Sequence, residues 1–271
     1  MLNPEAVNAY VNLHKELKMP FTMAISNYTT RIKSNYIDIH FMRNEQSNRV
    51  FAAYSKVKSQ VLKKPLPEVN KKKLQYYSHS FKEESFYMPV IYNCDLKSAY
   101  ANVLFNDGYI DKETFKYLTS LPKMQRLAAV GMLAGKKNIF EIDENGDIES
   151  QREEIAPTSD YFFHCVKRIS ETINEASQYL GEAFLFSWVD GIYFFQEYEK
   201  GAETAGKIIN DFFQEKGFQS SFDILKDFKV TAKENYFLCS YKKDEEGKIM
   251  RVPRHDITAI RKITDYLTKK K

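Results

Sequence analysis

The sequence predicts an α+β protein in which an antiparallel sheet is backed by helices and preceded by a helical N-terminal region. Two strand-like apolar runs, Tyr87–Asn93 and Phe184–Phe195, predict the sheet. The N-terminal region, residues 1–72, is predicted to hold helices over about Pro4–Leu17, 22–39 and Gln46–Val61.

Length and composition limit the number of domains and the kinds of partner that the chain can have. The 271 residues allow one large or two small domains, and a net charge of +4 requires any nucleic-acid surface to come from local clustering. The three cysteines show no zinc-binding spacing, which favours reduced thiols in an intracellular, cytoplasmic protein. The sequence has no signal peptide and no 18-residue apolar run, so we expect no membrane partner.

Residues 63–73, KKPLPEVNKKK, combine two prolines with five lysines. This composition indicates a solvated loop or boundary, and contact with a nucleic-acid backbone is the alternative. We therefore expect a core over 73–252 to follow the N-terminal region. The tail, 253–271, is predicted to be a basic helix that lies on duplex backbone or stays solvated.

The run Tyr87–Asn93 leads directly into Asp95, and a helix-like segment, Ser98–Leu104, follows. Asp95 therefore sits at a strand end, where a carboxylate faces a cleft while the strand stays buried.

The run Phe184–Phe195 is predicted to be a hairpin, because Asp190-Gly191 between apolar strands is the strongest short-range hairpin signal. Asp190 is the only charged residue of this run. It is either a simple turn residue or a metal ligand, since a carboxylate beside so much apolar surface is costly without a cation.

Two aspartates on neighbouring strands make a hard oxygen site suited to Mg²⁺ or Mn²⁺, whose remaining ligands are phosphate oxygens and water. Such a pair fits two-metal phosphoryl transfer. Between them, residues 123–137 are predicted to form a helix in which Lys123 and Arg126 lie one turn apart and Lys137 returns near that face. This face holds a triphosphate or is simply exposed.

Further helices are predicted over Thr158–Leu180 and about 199–216, and strands near 221–230 and 235–241.

The first aspartate segment resembles the first palm motif of family B DNA polymerases, a pattern of Asp, two variable residues and Ser-Leu-Tyr-Pro-Ser. Asp95, Ser98 and Tyr100 match it, while three positions depart from it: Ala99, Ala101 and Asn102.

The hairpin resembles the family's last palm motif, Tyr-Gly-Asp-Thr-Asp-Ser-Val-Phe. Asp190 falls on the second aspartate and Trp188 replaces the first. The helix at Lys123 is similar to the middle motif, although Leu127 stands at its usual lysine. Lys233-Glu-Asn-Tyr236 resembles the short motif that grips the primer terminus.

The resemblance implies a palm-like sheet, short fingers over about 101–137 and a template-directed DNA polymerase using Mg²⁺ or Mn²⁺. Its partners would be a DNA primer–template, deoxynucleotides and other replication proteins. The implied catalytic and metal-binding groups are Asp95, Asp190 and the backbone carbonyl of Leu96. The implied nucleotide-binding residues are Ser98, Tyr100, Lys123, Arg126 and Lys137. Gly191, Lys233 and Tyr236 would contact nucleic acid, and Tyr100 would exclude a 2′-hydroxyl or, alternatively, cap the core.

The chain lacks room for a proofreading exonuclease, which indicates a reduced core of a phage or mobile element, acting in the host cytoplasm if phage-encoded. Two other functions stay open. One is a palm-derived protein that has lost catalysis and binds nucleic acid or a replication partner. The other is a metal-dependent nuclease, which would need a further carboxylate such as Glu182, Glu197 or Asp223.

Overall fold

The structure is a computed structural model, and it describes residues 4–27, 29–42, 46–71, 74–81, 85–195 and 202–254. The helices in these ranges are α1 (Pro4–Glu16), α2 (Gln46–Val61), α3 (Ala99–Asn106), α4 (Lys112–Ser120), α5 (Lys123–Gly131), α6 (Ser159–Leu180) and α7 (Ala202–Glu215). The strands are β1 (Phe21–Ser26), β2 (Thr29–Lys33), β3 (Asp38–Met42), β4 (Tyr77–His79), β5 (Ser85–Leu96), β6 (Lys136–Ile142), β7 (Ile148–Ile155), β8 (Phe184–Trp188), β9 (Gly191–Phe194), β10 (Ser220–Ala232), β11 (Tyr236–Lys243) and β12 (Glu246–Pro253). The mixture of helices and antiparallel sheets confirms the predicted α+β class.

The chain divides into two compact units, and each is built from two separate stretches. The first unit contains residues 1–67 and 107–163, and the second contains 68–106 and 164–271. The first passage between them falls after Pro67, within the lysine- and proline-rich segment. The division predicted from motifs, with boundaries at residues 72 and 252 and fingers near 101–137, concerns function and stays a prediction.

The first unit holds a five-stranded antiparallel sheet in the order β3-β2-β1-β6-β7. Alternate residues of its strands point to one face, where Phe21, Ile32 and Ile142 are buried. Val7, Tyr10 and Val11 of α1 are among the side chains packed on this cluster. This packing explains why α1 forms, since its apolar residues recur at helical spacing.

The prediction of a helix over 22–39 is wrong, because this stretch forms β1, β2 and part of β3. Its apolar residues alternate with polar ones, as in Phe21-Thr22-Met23, and the cross-strand pair Met23–Ile32 lies on the buried-cluster face. A period of two serves a half-buried strand and not a helix.

The second unit holds a seven-stranded sheet, counted over the described residues, in the order β12-β11-β10-β5-β9-β8-β4. β5 and β10 are long central strands paired antiparallel from Leu96–Ser220 to Ser85–Thr231. The core of this unit includes Ile91, Phe186 and Phe228, all fully buried.

Helix α7 packs against β5 and β10. Gly206 is needed there, because a Cβ at this position would lie 2.5 Å from the ring of Phe222. That ring in turn stacks on Tyr92 at 5.6 Å.

Most other elements agree with the sequence. The predicted α1, α2, α6 and the strands near residues 87, 221 and 235 are confirmed to within a few residues. The helix predicted over 123–137 begins as expected but ends at Gly131, and Lys136 and Lys137 begin β6. The helix expected over 199–216 is described only from Ala202 to Glu215, and the expected helix at 253–271 lies outside the described residues beyond Arg254. Within the described ranges, no helix has the length and apolar character to span a membrane.

Candidate functional site

The two predicted aspartates meet at one end of the seven-stranded sheet. Asp95 is the penultimate residue of β5 and lies opposite Gly191 on β9. The next residue, Leu96, donates its backbone N–H to the carbonyl oxygen of Asp190 at 2.9 Å. Both aspartates are half-buried. The backbone thus joins the strand end that carries Asp95 to the loop that carries Asp190.

The hairpin prediction is confirmed, but its turn lies one residue earlier than expected. Trp188 pairs with Gly191, so Val189 and Asp190 form the two-residue loop and Gly191 already belongs to β9. Val189 has φ of 53°, which is unusual for a β-branched residue and costs on the order of 1–3 kcal/mol. The Val189 N–H donates to the Tyr76 carbonyl oxygen at 2.9 Å, which helps to hold the loop.

Gly191 is required by close approach rather than by its φ. A Cβ at this position would overlap Asp95 Oδ1 and lie 3.3 Å from Asp95 Cγ. It would also lie 3.5 Å from Oδ1 of Asn93. The space that a side chain would fill at Gly191 is therefore occupied by the carboxylate of Asp95, with the Asn93 oxygen close by.

Asn93 is a site residue that sequence reasoning missed. It is only 5% exposed, and its Oδ1 has no hydrogen-bond partner among the described residues. A buried acceptor without a partner costs about 1–3 kcal/mol unless a donor or a cation reaches it. Its place two residues before Asp95 on the same strand face aims this oxygen at the same space.

Asp223 brings a third carboxylate to this face. It lies opposite Asn93 on β10, next to the pair formed by Ser221 and Asp95. Its Oδ2 is 2.6 Å from Nζ of Lys243, the last residue of β11. Of the three acids considered for a nuclease, Glu182 is exposed in a short 3₁₀ helix before β8, away from Asp190, and Glu197 lies outside the described residues.

The charges of these three acids all act on one side chain, that of Tyr193. Burial raises the pKa of the Tyr193 phenol, and the charges of Asp95, Asp190 and Asp223 raise it further. The hydrogen bond to Asp223 raises the pKa of the Lys243 ammonium, to which the negative charge of Asp95 also contributes. The site therefore combines three carboxylates with one lysine.

The turn after β5 positions Ser98 and Tyr100. Ser98 has φ of 53°, and its carbonyl oxygen accepts from the Asn102 N–H at 3.0 Å. The Asn102 side chain also donates to the Lys97 carbonyl oxygen at 2.7 Å, which gives a structural reason for the asparagine that departs from the palm motif. Tyr100 is half-buried in the first turn of α3.

The three predicted phosphate-binding cations belong to the first unit, and they sit in different settings. Lys123 is exposed at the first position of α5. The Arg126 guanidinium donates to the carbonyl oxygens of Leu121 at 3.1 Å and Thr119 at 3.4 Å. Lys137 lies on β6 instead of the helix, and its Nζ is 2.9 Å from Glu154.

Lys233 and Tyr236 lie at the opposite end of β10 from Asp95, Lys233 in the turn between β10 and β11 and Tyr236 at the first position of β11. The structure therefore does not bring them to the carboxylates. The Arg251 guanidinium lies 5.3 Å from the centroid of the Tyr236 ring.

The donor set around Asp95 suits a hard divalent cation. Asp95 and Asp190 carry charge, and Asn93 adds a buried neutral oxygen beside the space at Gly191. Within the described ranges, no group of three or more His, Cys, Asp or Glu side chains is arranged to hold a metal ion. Two carboxylates suit Mg²⁺ when substrate phosphates complete its shell.

The signals that sequence reasoning missed are long-range. Asn93 and Asp223 face each other only because β5 and β10 pair in one register, and no local pattern predicts that register. The buried polar Asn93, directly before Cys94-Asp95 in an apolar strand, was the one local clue.

No protein-family model matches the chain, and no curated protein matches it. Solved structures do match, among them one described as "In situ structure of BmCPV RNA-dependent RNA polymerase at elongation state". It is 13% identical, with a TM-score of 0.24, over 93% of this chain and 25% of that chain. The chain thus spans about a quarter of that polymerase, and a likeness at this score does not establish a shared fold.

Proposed function

We propose that the chain is a metal-dependent nucleotidyltransferase that extends a DNA primer on a template, as its resemblance to the family B palm implies. The observation that supports this best is the juxtaposition of Asp95 and Asp190 by the Leu96–Asp190 hydrogen bond, beside the space that Gly191 leaves. The proposed partners are a primer–template and deoxynucleotides, and other replication proteins would supply further functions.

Asp95 and Asp190 would hold Mg²⁺ or Mn²⁺, with the Asn93 oxygen and the Leu96 carbonyl as further candidate donors. When bound, such ions lower the pKa of an attacking hydroxyl and stabilise the charge of a leaving pyrophosphate. The residues of the chain would orient the reactants. The backbone hydrogen bond between Leu96 and Asp190 holds together the two backbone segments that carry the carboxylates, which would reduce the reorganisation needed during the reaction.

Tyr100 would select the sugar. It follows Asp95 by five residues and is half-buried in the first turn of α3. In this proposal its ring packs under the sugar and leaves no room for a 2′-hydroxyl, so deoxynucleotides are preferred. The cations Lys123, Arg126 and Lys137 remain candidates for the triphosphate, and Lys233 and Tyr236 for the primer.

A metal-dependent nuclease is the second candidate, and Asp223 is the observation that favours it. A third carboxylate shares the face with Asp95. Asp223 is, however, paired with Lys243 at 2.6 Å. This pairing favours the two-carboxylate reading and hence the transferase.

Extension of a labelled primer–template with Mg²⁺ or Mn²⁺ and deoxynucleotides tests the proposal. We expect extension by the wild type and its loss in Asp95→Ala and in Asp190→Ala, by more than the roughly 10- to 100-fold typical of losing an outer-shell partner. Glu182→Ala, an exposed acid away from the loop, is the matched control and should leave extension unchanged.

The same gels separate the alternatives. Shortening of the labelled strand that requires Asp95, Asp190 and Asp223 would indicate the nuclease. Duplex binding without any change in strand length, in the wild type and in both aspartate variants, would refute an enzyme and indicate a binding protein.

A further inference from the structure

One lysine stands among the carboxylates of the site. Lys243 ends β11, and its ammonium lies 2.6 Å from Asp223 Oδ2. The Lys243 side chain is 38% exposed and that of Asp223 is 23% exposed, so water screens this pair only in part. A short, partly buried ion pair of this kind holds both side chains in one place.

The pair is adjacent to the proposed metal ligands. Asp223 lies directly opposite Asn93 on the neighbouring strand. Asn93 is on the same face of the sheet as Asp95, two residues away. The charge of Asp95 acts on Lys243 as well as on Tyr193 and Tyr241. Lys243 thus sits within the field of the site and not on a remote surface.

The number of free carboxylates decides which ion a site prefers. Mg²⁺ takes one or two protein carboxylates and leaves room for substrate phosphates, whereas Ca²⁺ takes six to eight oxygens in a flexible shell. Three carboxylates close together would also repel one another. A lysine that forms an ion pair with one carboxylate relieves this repulsion. It also lowers the number of carboxylates that are available to bind a metal ion.

We propose that Lys243 is a resident cation that keeps Asp223 out of the metal site, so that Asp95 and Asp190 alone supply charged ligands and substrate phosphates complete the shell. This inference rests on the proposed metal site. It adds to that site a positioning residue, Lys243, and a withheld carboxylate, Asp223.

Binding of Mn²⁺ alone, without DNA or nucleotide, tests the inference by electron paramagnetic resonance of the free ion. Lys243→Gln should bind Mn²⁺ about tenfold more tightly than the wild type, because the released Asp223 becomes a ligand and a higher ligand charge count strengthens cation binding. Lys243→Arg, which keeps the charge, should restore wild-type affinity. Lys226→Gln is the matched control, since Lys226 pairs with Glu245 at 3.0 Å and its loss changes the net charge equally.

A double variant separates ligand release from a general effect of charge. In the Asp223→Asn background, Lys243→Gln should change Mn²⁺ affinity less than twofold. Equal tightening in both backgrounds would refute a role for Asp223, and weaker or unchanged binding in Lys243→Gln would refute the inference altogether, as would no binding by any variant. The Mn²⁺ titration does not depend on primer extension. A protein that binds Mn²⁺ as expected but extends no primer would therefore refute only the proposed function and not this inference.

Discussion

The two ends of the seven-stranded sheet differ in what they leave unsatisfied. At the Asp95 end, the buried Asn93 Oδ1 is an acceptor without a partner among the described residues. At the other end, ten residues along β10 and roughly 30 Å away by strand rise, the buried Arg254 Nε is a donor without one. The first end therefore leaves a hydrogen-bond acceptor unsatisfied, and the second end leaves a donor unsatisfied.

The aromatic side chains differ in the same sense. Near Asp95, Tyr193 is surrounded by carboxylates and stacks on Phe186 at 4.1 Å. At the far end, the Arg251 and Arg254 guanidinium groups lie over the rings of Tyr236 and Phe237 at 5.3 and 5.1 Å. The two ends of the sheet therefore carry side chains of opposite charge, and Lys233 and Tyr236 lie at the cationic end, away from Asp95.

The largest test of this contrast is Gly191→Ala, which acts on the acidic end only. The new Cβ would displace the Asp95 carboxylate. We expect Mn²⁺ affinity to fall about 10- to 100-fold, measured by paramagnetic resonance, while duplex binding is kept. Gly247→Ala, on β12 with nothing within 4 Å of the added Cβ, is the control. Unchanged Mn²⁺ affinity in Gly191→Ala would show that the position of the Asp95 carboxylate does not determine metal binding.

The next effect concerns the unpartnered acceptor. Asn93→Leu removes a buried carbonyl that lacks a hydrogen bond, so the metal-free protein should gain about 1–3 kcal/mol in the free energy of unfolding. The same variant should bind Mn²⁺ more weakly. Urea unfolding with and without Mn²⁺ measures both. Asn138→Leu, at an exposed position of β6, should stay within about 0.5 kcal/mol. A loss of stability in metal-free Asn93→Leu would contradict the role given to this oxygen.

The smallest effect tests the cationic end. Arg251→Ala should weaken duplex binding and make the slope of log affinity against log salt shallower by about 1, because one phosphate contact is lost. Fluorescence anisotropy over a salt series measures this slope. Mn²⁺ binding should not change. Lys248→Ala, an exposed lysine of the same strand paired with Glu246 at 2.5 Å, is the control. A salt slope equal to that of the wild type would remove Arg251 from the nucleic-acid surface.

Local patterns predicted the elements whose signal lies within a few residues. The hairpin at Asp190 and helices such as α2 and α5 follow from turn chemistry and spacing. At Phe21–Ser26 the alternation of apolar and polar residues is that of a strand, but a helix was predicted over most of this stretch. Half of the residues of β7, IESQREEI, are charged, as suits the last strand of its sheet, and the strand offers no apolar periodicity to detect.

The candidate site divides in the same way. Asp95 and Asp190 were identifiable because a carboxylate interrupts an apolar run. Asn93, Asp223 and Lys243 enter the site through the pairing of β5 with β9 and β10 and the ion pair between β10 and β11. The pairing of β5 with β10 joins residues more than a hundred positions apart, and its register is set by packing that no short segment contains.

The interleaving of the two units has a consequence for synthesis. Phe21 of β1 pairs with Ile142 of β6, so one edge of β1 stays open until the chain has grown past that point. At about 5–20 residues per second this takes on the order of 10 s. During this interval the meander of β1, β2 and β3 presents unpaired N–H and C=O groups to neighbouring chains. Neither unit is one contiguous stretch of the chain. The first unit can therefore be completed only after the ribosome has also synthesised residues 68–106, which belong to the second unit.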